Sequence, residues 1–391
     1  MSIDPQMFYS ALLDAGLRDF SGVPCSILDP LIVRAEESDE IRYLRASVEG
    51  EAVAVACGAW LAGSLGAVLL QNSGLGNAIN PLASLALPYR IPLLLIVSWR
   101  GEPGTRDAAQ HGPMGRATPG LLDLFDIPAT PLRDPTQIES AVEAAALHMR
   151  RERRPAALLV PRGLFAKEPR RASDAEDPRW TNAPPTPDAE AVARFGGGAL
   201  PSRAEVISAF LQRCGEAATV STTGYMSREL AARAAPGRHF PMQGSMGFAL
   251  SIALGISRVQ TTRPVFVLDG DGALLMRLGS LATAGAKRPS QLTHLVLDNG
   301  TYASTGGQPT ISPLVDFAGA ALACGYARAA TCNGREGLAE AMDWAAGDAE
   351  RGPGLLHLRI DQRESADLVR PKVTPPEIAS DFRTWLIESS P

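Results

Sequence analysis

The stretch VFVLDGDGALLMRLGSLATAGAKRPSQLTHLVLDNGTYASTGGQPT, from Val265 to Thr310, contains two apolar runs that end in short polar residues. The first run ends in DGDG at residues 269–272, and the second ends in DNG at residues 298–300, with a helix-like segment between them. In an open parallel sheet, functional side chains gather at the carboxyl ends of strands, where the turns face a crevice. The stretch therefore predicts two parallel strands that bring oxygen ligands to one site.

The same alternation of apolar runs and helix-like segments extends along the chain. The runs are AVLLQ from Ala67, PLLLIV from Pro92, AALLV from Ala156, and then ATVST, PVFVL, THLVL and GLLHLRI. Runs that are apolar on both faces are typical of parallel strands covered by helices on both sides. The sequence thus predicts an α/β protein with doubly wound parallel sheets.

A change of composition divides the chain into two halves of similar size. The segment between Phe165 and Pro201 is rich in Pro, Ala, Asp and Glu, and it contains no core-like run. We therefore expect one domain over residues 1–165, a linker over residues 166–201 and a second domain over residues 202–391.

Composition narrows the classes of function. The 391 residues carry a formal net charge of -5 with scattered Lys and Arg, which argues against a nucleic-acid partner. The five cysteines are odd in number and far apart, so we expect no disulfide framework and a reducing, cytoplasmic location. No apolar run approaches the roughly 18 residues that a membrane span needs, so we expect no membrane partner.

The two strand ends of the opening stretch predict a metal site. Asp271 offers a carboxylate oxygen, Asn299 an amide oxygen and Thr301 a backbone carbonyl, and phosphate oxygens could complete the octahedron that Mg²⁺ prefers. Gly270 and Gly272 would let the backbone approach the phosphates closely. Each dipeptide alone would more often mark an ordinary turn, but the spacing of 28 residues (299 minus 271) favours a joint site.

A second element for phosphate binding lies upstream, in GSMG at residues 244–247. This turn leads into an apolar helix, whose free N–H groups and positive dipole end can hold an anion, with the Ser245 hydroxyl as a further donor. The alternatives are an ordinary helix N-cap and, for Met246, a core-filling side chain.

The N-terminal half carries a candidate acid and a candidate ligand loop. Glu49 stands at the start of an apolar helix, where a carboxylate can simply favour the helix dipole, and Glu51 could serve that purpose equally well. The loop from Asn72 through Gly74 to Asn77 follows a strand and opens a helix, which suits close approach of the backbone to a ligand.

Together these motifs resemble those of the thiamin-diphosphate-dependent decarboxylases. The resemblance rests on Glu49 nine positions before Gly58, the loop QNSGLGNAINPLASLALPYRIPLLLIVSWRGEPG, the GSMG turn, and GDG followed by Asn299. The segments GVPCSILDPLI, WRGEPG, AQHGPMGRATPGLLD and YASTGGQPT are most similar to the phosphonopyruvate decarboxylases, with sulfopyruvate decarboxylases as close relatives. The resemblance implies the thiamin-diphosphate-binding fold, with a pyrimidine-binding domain followed by a diphosphate-binding domain.

The resemblance also implies roles for single residues. Glu49 corresponds to the glutamate that hydrogen-bonds the aminopyrimidine ring and shifts it toward the imino tautomer, and Met246 to the wedge that bends the cofactor. Asp271, Asn299 and the Thr301 carbonyl correspond to the Mg²⁺ ligands. The further residues expected to contact thiamin diphosphate are Asn72, Gly74, Gly244, Ser245, Gly270, Gly272 and Ala273.

The implied reaction is the non-oxidative decarboxylation of 3-phosphonopyruvate to phosphonoacetaldehyde and CO₂ in the biosynthesis of phosphonates, including antibiotics. The implied assembly is a homodimer or a larger even-numbered oligomer whose subunits share active sites. A small anionic 2-oxo acid requires donors or positive charge in its binding site. The expected contributors are Ser26, Gln110 and His111, the loop of residues 304–308, and either Arg100 or Arg370.

Alternatives and departures remain. A sulfopyruvate decarboxylase, another 2-oxo acid decarboxylase and a carboligase fit the same motifs, and a non-catalytic binding protein fits the α/β pattern alone. Glu49 argues against simple binding, which needs no carboxylate at the pyrimidine. The chain departs from the phosphonopyruvate decarboxylases at Cys25, where they have Asp, and at Val48 and Asp298, where they have Asn.

Overall fold

The structure, a computed structural model, describes residues 2–167, 192–347, 352–363 and 368–389. The chain divides into two units, Met1–Ala183 and Pro184–Pro391. Each unit is built on one main parallel sheet, and we call them the N-terminal and C-terminal units.

The N-terminal unit contains a six-stranded sheet with the order β2-β1-β3-β4-β6-β5, in which all paired neighbours are parallel. The order places β1, β3, β4 and β6 inside the sheet and β2 and β5 at its edges. The strands are β1 (Leu17–Gly22), β2 (Arg42–Arg45), β3 (Leu65–Gln71), β4 (Leu93–Ser98), β5 (Ala129–Pro131) and β6 (Ala156–Val160).

Helices bury the central strands of this sheet. Ala67 and Leu69 of β3 belong to a core cluster with α1, α2 and α6, while the alternate residues Val68 and Leu70 are also fully buried. Every residue of α3 is buried, so this helix packs on all sides. The helices are α1 (Pro5–Asp14), α2 (Asp29–Glu37), α3 (Glu49–Leu61), α4 (Leu75–Pro81), α5 (Gly112–Asp123) and α6 (Ile138–Glu152).

The C-terminal unit contains a seven-stranded parallel sheet with the order β7-β14-β15-β11-β10-β8-β9. A separate antiparallel ribbon of β12 and β13 follows β11. The strands are β7 (Val192–Phe195), β8 (Ala218–Ser221), β9 (His239–Pro241), β10 (Val265–Gly270), β11 (Leu292–Asp298), β12 (Thr301–Tyr302), β13 (Gln308–Pro309), β14 (Arg328–Cys332) and β15 (Gly354–Arg359).

Amphipathic helices cover this sheet as well. The α13 helix places Leu338, Ala341, Met342 and Ala345 on one face, at the spacing of an amphipathic helix, and that face packs in a core cluster with β10, β11, β14 and β15. The helices are α7 (Arg203–Cys214), α8 (Tyr225–Arg233), α9 (Ala249–Val259), α10 (Asp271–Met276), α11 (Ser280–Lys287), α12 (Phe317–Ala323), α13 (Leu338–Ala346) and α14 (Pro375–Glu388).

The predicted fold class is confirmed, because both main sheets are parallel and carry helices. The predicted linker of residues 166–201 needs a correction, since Val192–Phe195 pairs with β14 as an edge strand. None of the residues of this strand is buried, which explains why its sequence contains no core-like run and resembles that of a linker. Residues 168–191 of the predicted linker lie outside the described residues. Of the helices that the structure describes, none is both long and apolar enough to cross a membrane.

Candidate active site

In the N-terminal unit, the predicted site residues follow the carboxyl ends of neighbouring strands, as expected for an open parallel sheet. Ser26 follows β1, and Glu49 begins the helix after β2. Asn72 and Gly74 follow β3 directly, and the pair at residues 110–111 lies between β4 and α5. Ser26 and Gln110 are exposed, whereas His111 is half-buried.

Glu49 is the first residue of α3, and its side chain is only 9% exposed. Its Oε2 atom accepts a hydrogen bond from Nδ2 of Asn77 at 2.8 Å. Glu51 has a different hydrogen-bond partner, because its Oε2 accepts hydrogen bonds from the backbone N and the Oγ of Ser47 at 2.6 and 2.8 Å. Glu51 therefore contacts Ser47, two residues before the helix, while the Glu49 carboxylate is directed to the loop after β3.

Gly74 makes room for that carboxylate. A Cβ atom at this position would lie 2.1 Å from Oε1 of Glu49 and 2.6 Å from its Cγ, far inside van der Waals contact. The backbone dihedrals of Gly74 are φ -79° and ψ -7°, which any residue can adopt. The close approach to Glu49, and not backbone conformation, is what requires a glycine here.

Asn72 joins the loops that follow β3 and β4. Its Nδ2 donates to the carbonyl of Arg100 at 2.8 Å and to Oγ1 of Thr118 at 3.1 Å, and its Oδ1 accepts from the Arg100 backbone N at 3.1 Å. The side chain is 1% exposed. Its amide thus holds these loops together, and its predicted contact with the cofactor stays a prediction.

Arg100 is already paired within the unit. Its Nε and Nη2 atoms donate to the two carboxylate oxygens of Asp107 at 2.7 Å each. The Arg100 guanidinium, opposed only partly by burial, holds the pKa of Asp107 well below its usual range. Because this charge has a bidentate partner, Arg370 becomes the stronger of the two predicted ligands for a substrate anion.

Cys25, where the family resemblance would place an aspartate, is directed into the unit. Its Sγ atom lies 3.1 Å from Oγ of Ser98 and 3.5 Å from Oε1 of Gln71, and the residue is 7% exposed. The three side chains stand at the carboxyl ends of β1, β4 and β3. A thiol thus occupies the start of the loop that contains Ser26.

In the C-terminal unit, one cleft collects most of the predicted cofactor ligands. It lies at the carboxyl ends of β8, β10 and β11. Gly244 and Ser245 are not part of its wall but belong to the same turn as Met246. The predicted residues that line the cleft are Met246, Gly270, Asp271, Gly272, Ala273, Asn299 and Thr301.

Asp271 begins α10 and is 2% exposed. Burial raises the pKa of this carboxyl group, and the hydrogen bond that its Oδ2 accepts from Oγ1 of Thr310 opposes the shift only partly. A buried carboxylate whose charged form is disfavoured gains from a nearby cation. The geometry of Asp271 therefore suits its predicted role as a metal ligand.

Asn299 and Thr301 form the second side of the predicted metal site. Oδ1 of Asn299 accepts a hydrogen bond from the backbone N of Thr301 at 3.1 Å, which fixes the amide over the turn. Gly300 between them has a positive φ of 69°, which favours glycine. Gly272 admits the ring of Tyr302, because a Cβ at Gly272 would lie 2.4 Å from its Cε1 atom.

The turn before α9 has strained backbone. Ser245 has φ 49° although it carries a side chain, and Gly247 has φ 89°. Non-glycine residues in the left-handed region are uncommon and cluster at functional sites. This turn presents the half-buried Met246 to the cleft, and its role as a wedge stays a prediction.

Sequence reasoning missed several residues of the cleft. Thr222 and Thr223 follow β8 and line the cleft with Tyr225. The sequence Thr-Thr-Gly at the end of a predicted strand could have indicated them. Arg203 also lines the cleft, is 6% exposed and lies with its Cζ 5.2 Å from the Tyr225 ring centre. No sequence pattern around Arg203 indicates a ligand-binding residue, because it lies at the start of α7, apart from the other cleft residues in the sequence.

Comparison with protein families identifies both units. The model described as "Thiamine pyrophosphate enzyme, N-terminal TPP binding domain" matches residues 5–118. The model described as "Thiamine pyrophosphate enzyme, C-terminal TPP binding domain" matches residues 220–358. The C-terminal match contains the whole turn-and-strand region that lines the cleft from Thr222 to Thr305.

Relatives extend the match over nearly the full length. A phosphonopyruvate decarboxylase from Streptomyces viridochromogenes is 44% identical over 96% of this chain and 93% of its own. A sulfopyruvate decarboxylase from Methanosarcina acetivorans is 32% identical over 82% of each chain. The solved structure of benzoylformate decarboxylase from Polynucleobacter necessarius has a similar fold, with a TM-score of 0.68 at 12% identity, covering 93% of this chain and 100% of its own.

These matches confirm the family that the motifs indicated. The relative from Streptomyces viridochromogenes has a far higher sequence identity than the solved structure and aligns over nearly its full length, so it bears on the family and not only on the fold. The chain therefore belongs to the thiamin-diphosphate-dependent enzymes, in the family of the phosphonopyruvate decarboxylases.

Proposed function

We propose that the protein decarboxylates 3-phosphonopyruvate to phosphonoacetaldehyde and CO₂. The identity of 44% to a phosphonopyruvate decarboxylase supports the substrate. The structural observation that carries the proposal is the largely buried carboxylate of Glu49. It accepts a hydrogen bond from Asn77 and fits against Gly74, where any larger residue would clash with it. A simple binding protein would have no use for such a buried acid.

The residues of the cleft fit thiamin diphosphate and Mg²⁺. Asp271, Asn299 and the Thr301 backbone would hold the metal, since they offer a carboxylate, an amide and a carbonyl as hard oxygen ligands. A Cβ built on Gly270 meets no atom within 4 Å, so this residue leaves open space at the end of β10 for phosphate oxygens. Mg²⁺ is therefore part of the proposal.

Glu49 would make the first proton transfer of the reaction. Its Oε1 atom occupies the space that a side chain at position 74 would fill, while Oε2 accepts the hydrogen bond from Asn77. The carboxyl group would exchange a proton with a ring nitrogen of the bound cofactor, and its burial limits exchange with water. When bound, thiamin diphosphate supplies a carbon nucleophile and accepts the electron pair released with CO₂.

The overall reaction balances without an oxidant or a reductant. The bond between the carboxylate carbon and the 2-oxo carbon breaks, CO₂ leaves, and one proton takes its place on the former 2-oxo carbon. The residues expected on the side of the substrate are Ser26, Gln110 and His111. Two of them are exposed and the third is half-buried, so they are accessible to a ligand.

We further propose a cytoplasmic homo-oligomer with an even number of subunits that acts in phosphonate biosynthesis. All five cysteines are free, which agrees with a reducing compartment. The assembly rests on the family, in which the two domains that hold one cofactor come from different subunits.

The proposed reaction can be tested directly. Purified protein with Mg²⁺ and thiamin diphosphate should convert 3-phosphonopyruvate to phosphonoacetaldehyde, followed by ³¹P and ¹H NMR, with one CO₂ released per product. Glu49→Gln protein is the control for uncatalysed decay of the substrate. Turnover of sulfopyruvate without turnover of 3-phosphonopyruvate would assign the chain to the sulfopyruvate decarboxylases, an outcome that Cys25 at the expected aspartate position makes worth measuring.

A further inference from the structure

A second cavity of about 250 Å³ lies at the carboxyl edge of the C-terminal sheet, between the ends of β8 and β9. We call it the arginine cavity, because Arg228 and Arg370 both line it. It is separate from the cleft that contains Asp271 and Asn299. Its other lining residues are Thr223, Gly224, Ser227, Met242, Gln243 and Pro371.

The two guanidinium groups of this cavity have no ion-pair partner among the residues that the structure describes. Arg228 is half-buried, donates from Nη1 to the Leu368 carbonyl at 3.3 Å, and lies with Cζ 5.2 Å from the Tyr225 ring centre. Arg370 makes no hydrogen bond or ion pair with the described residues. No carboxylate lines the cavity, so among its described wall residues the charge is wholly positive.

The rest of the wall suits an anion as well. Gln243 offers an amide and donates to the Val373 carbonyl at 3.4 Å, and Ser227 offers a hydroxyl. Gly224 has φ 86° and precedes the first turn of α8, whose N–H groups add to the positive field. A larger neighbouring cavity of about 330 Å³ shares Arg228 and Arg370 with the arginine cavity and adds Lys372, but Asp381 and several alanines and prolines also line it, so it suits an anion less well.

The arginine cavity adjoins the cofactor cleft. Thr223 lines both, and Gln243 directly precedes the strained turn that presents Met246 to the cleft. An anion held by Arg228 and Arg370 would therefore lie next to the cofactor cleft, in a cavity that none of the predicted metal ligands lines. A substrate whose reacting carbon and anionic end are a few bonds apart matches this arrangement.

We propose that the arginine cavity binds the phosphonate group of the substrate, with Arg228 and Arg370 as specificity-determining residues. This inference rests on the proposed function and adds the site that separates 3-phosphonopyruvate from uncharged analogues. Guanidinium groups suit phosphonate oxygens because they donate paired, charge-assisted hydrogen bonds. Pyruvate would leave both guanidinium groups without an anionic partner.

The test compares Arg370→Gln and Arg228→Gln with Lys372→Gln, an exposed cation of the same segment that does not line the cavity. We expect kcat/KM for 3-phosphonopyruvate to fall roughly 10- to 100-fold in each arginine variant, mainly through KM, as charged hydrogen bonds are lost. The inhibition constant of methylphosphonate should rise in parallel. Affinity for thiamin diphosphate and the activity of Lys372→Gln should stay unchanged.

Unchanged kcat/KM and unchanged methylphosphonate inhibition in Arg370→Gln would overturn the inference. So would an arginine variant that loses thiamin diphosphate and substrate affinity together, because the arginines would then act on the cofactor or the fold. If wild-type protein does not turn over 3-phosphonopyruvate, the proposed function fails separately. Calorimetric titration of methylphosphonate into the protein loaded with cofactor and Mg²⁺ then decides the inference: binding weakened in both arginine variants supports an anion site, and no binding refutes it.

Discussion

His357 forms a buried hydrogen bond with the carboxylate of Asp298, and Nε2 of the imidazole lies 3.0 Å from Oδ2. The ring also packs edge-on against Phe317, with centres 5.2 Å apart. The other carboxylate oxygen of Asp298 accepts from Oγ of Ser312 at 2.8 Å and from the Gly300 backbone N at 2.9 Å. Although burial favours the neutral acid, these hydrogen bonds lower the pKa of Asp298. The departure from asparagine therefore places a charge in a buried network beside the turn that carries the predicted metal ligands Asn299 and Thr301.

This pairing predicts the effect of changing His357. His357→Leu should lower the free energy of unfolding by about 2 to 3 kcal/mol, because a buried carboxylate loses a partner. His357→Gln keeps a donor and should be less harmful. Urea unfolding of the three proteins checks this order, and equal stability of the Leu and wild-type proteins would show that the pair is unimportant.

Gly74→Ala should displace Glu49 with little loss of stability. The added methyl group would meet the flexible end of the Glu49 side chain, which can move, but a shift of about 1 Å can reduce turnover roughly 100-fold. Gly76→Ala is the matched control, since a Cβ there meets no atom within 4 Å. Comparable kcat values for the two variants would contradict the account of Gly74.

The strands show how far the sequence determines the fold. Every apolar run picked out in the sequence became an inner strand, namely β3, β4 and β6 in one sheet and β8, β10, β11 and β15 in the other. The strands missed lie at an edge or next to one, and several are short or partly exposed, as in Arg42–Arg45, whose two end residues are exposed. Such strands contain too few buried apolar residues to be recognised in the sequence.

The site shows a similar limit. The motifs pointed to Glu49, Asp271 and Asn299 as candidates, because the position of each residue relative to the end of a strand can be read from a short stretch of sequence. The partner of Asp298 could not be foreseen, since His357 comes from β15, 59 residues away in the sequence. Arg203 was missed for the same reason, as long-range packing brings it to the cleft.

Glu49 and Asp271 should fail in different ways. Glu49→Gln should lower kcat by roughly 10²- to 10⁴-fold while cofactor affinity is kept, because it removes a proton transfer. Asp271→Ala should weaken binding of Mg²⁺ and thiamin diphosphate, measured by calorimetry. Full activity of Glu49→Gln would remove the acid from the mechanism.

Shared active sites predict complementation. When inactive Glu49→Gln and Asp271→Ala subunits are mixed and exchanged, some sites should combine an intact Glu49 with an intact Asp271. Activity should then reappear and scale with the fraction of mixed oligomers, measured by native mass spectrometry. Mixtures that stay inactive, together with an active monomer, would rule out sites shared between subunits.

His239 predicts a loss of stability in mild acid. Burial lowers the pKa of this histidine from 6.5 to about 4, so the unfolded chain binds its proton more readily between these values. Stability from this residue is full above pH 6.5 and is lost as the pH falls toward 4, by up to about 3 kcal/mol. His239→Gln should flatten the dependence of urea unfolding on pH, and an unchanged slope would contradict this.

The substrate is the central claim, and kcat/KM measured side by side for 3-phosphonopyruvate, sulfopyruvate and pyruvate tests it most directly. Polar groups left unpaired by pyruvate cost several kcal/mol, so 3-phosphonopyruvate should exceed pyruvate by at least about 100-fold. It should also exceed sulfopyruvate, whose sulfonate carries less charge. A higher kcat/KM for sulfopyruvate or pyruvate would contradict the proposed substrate.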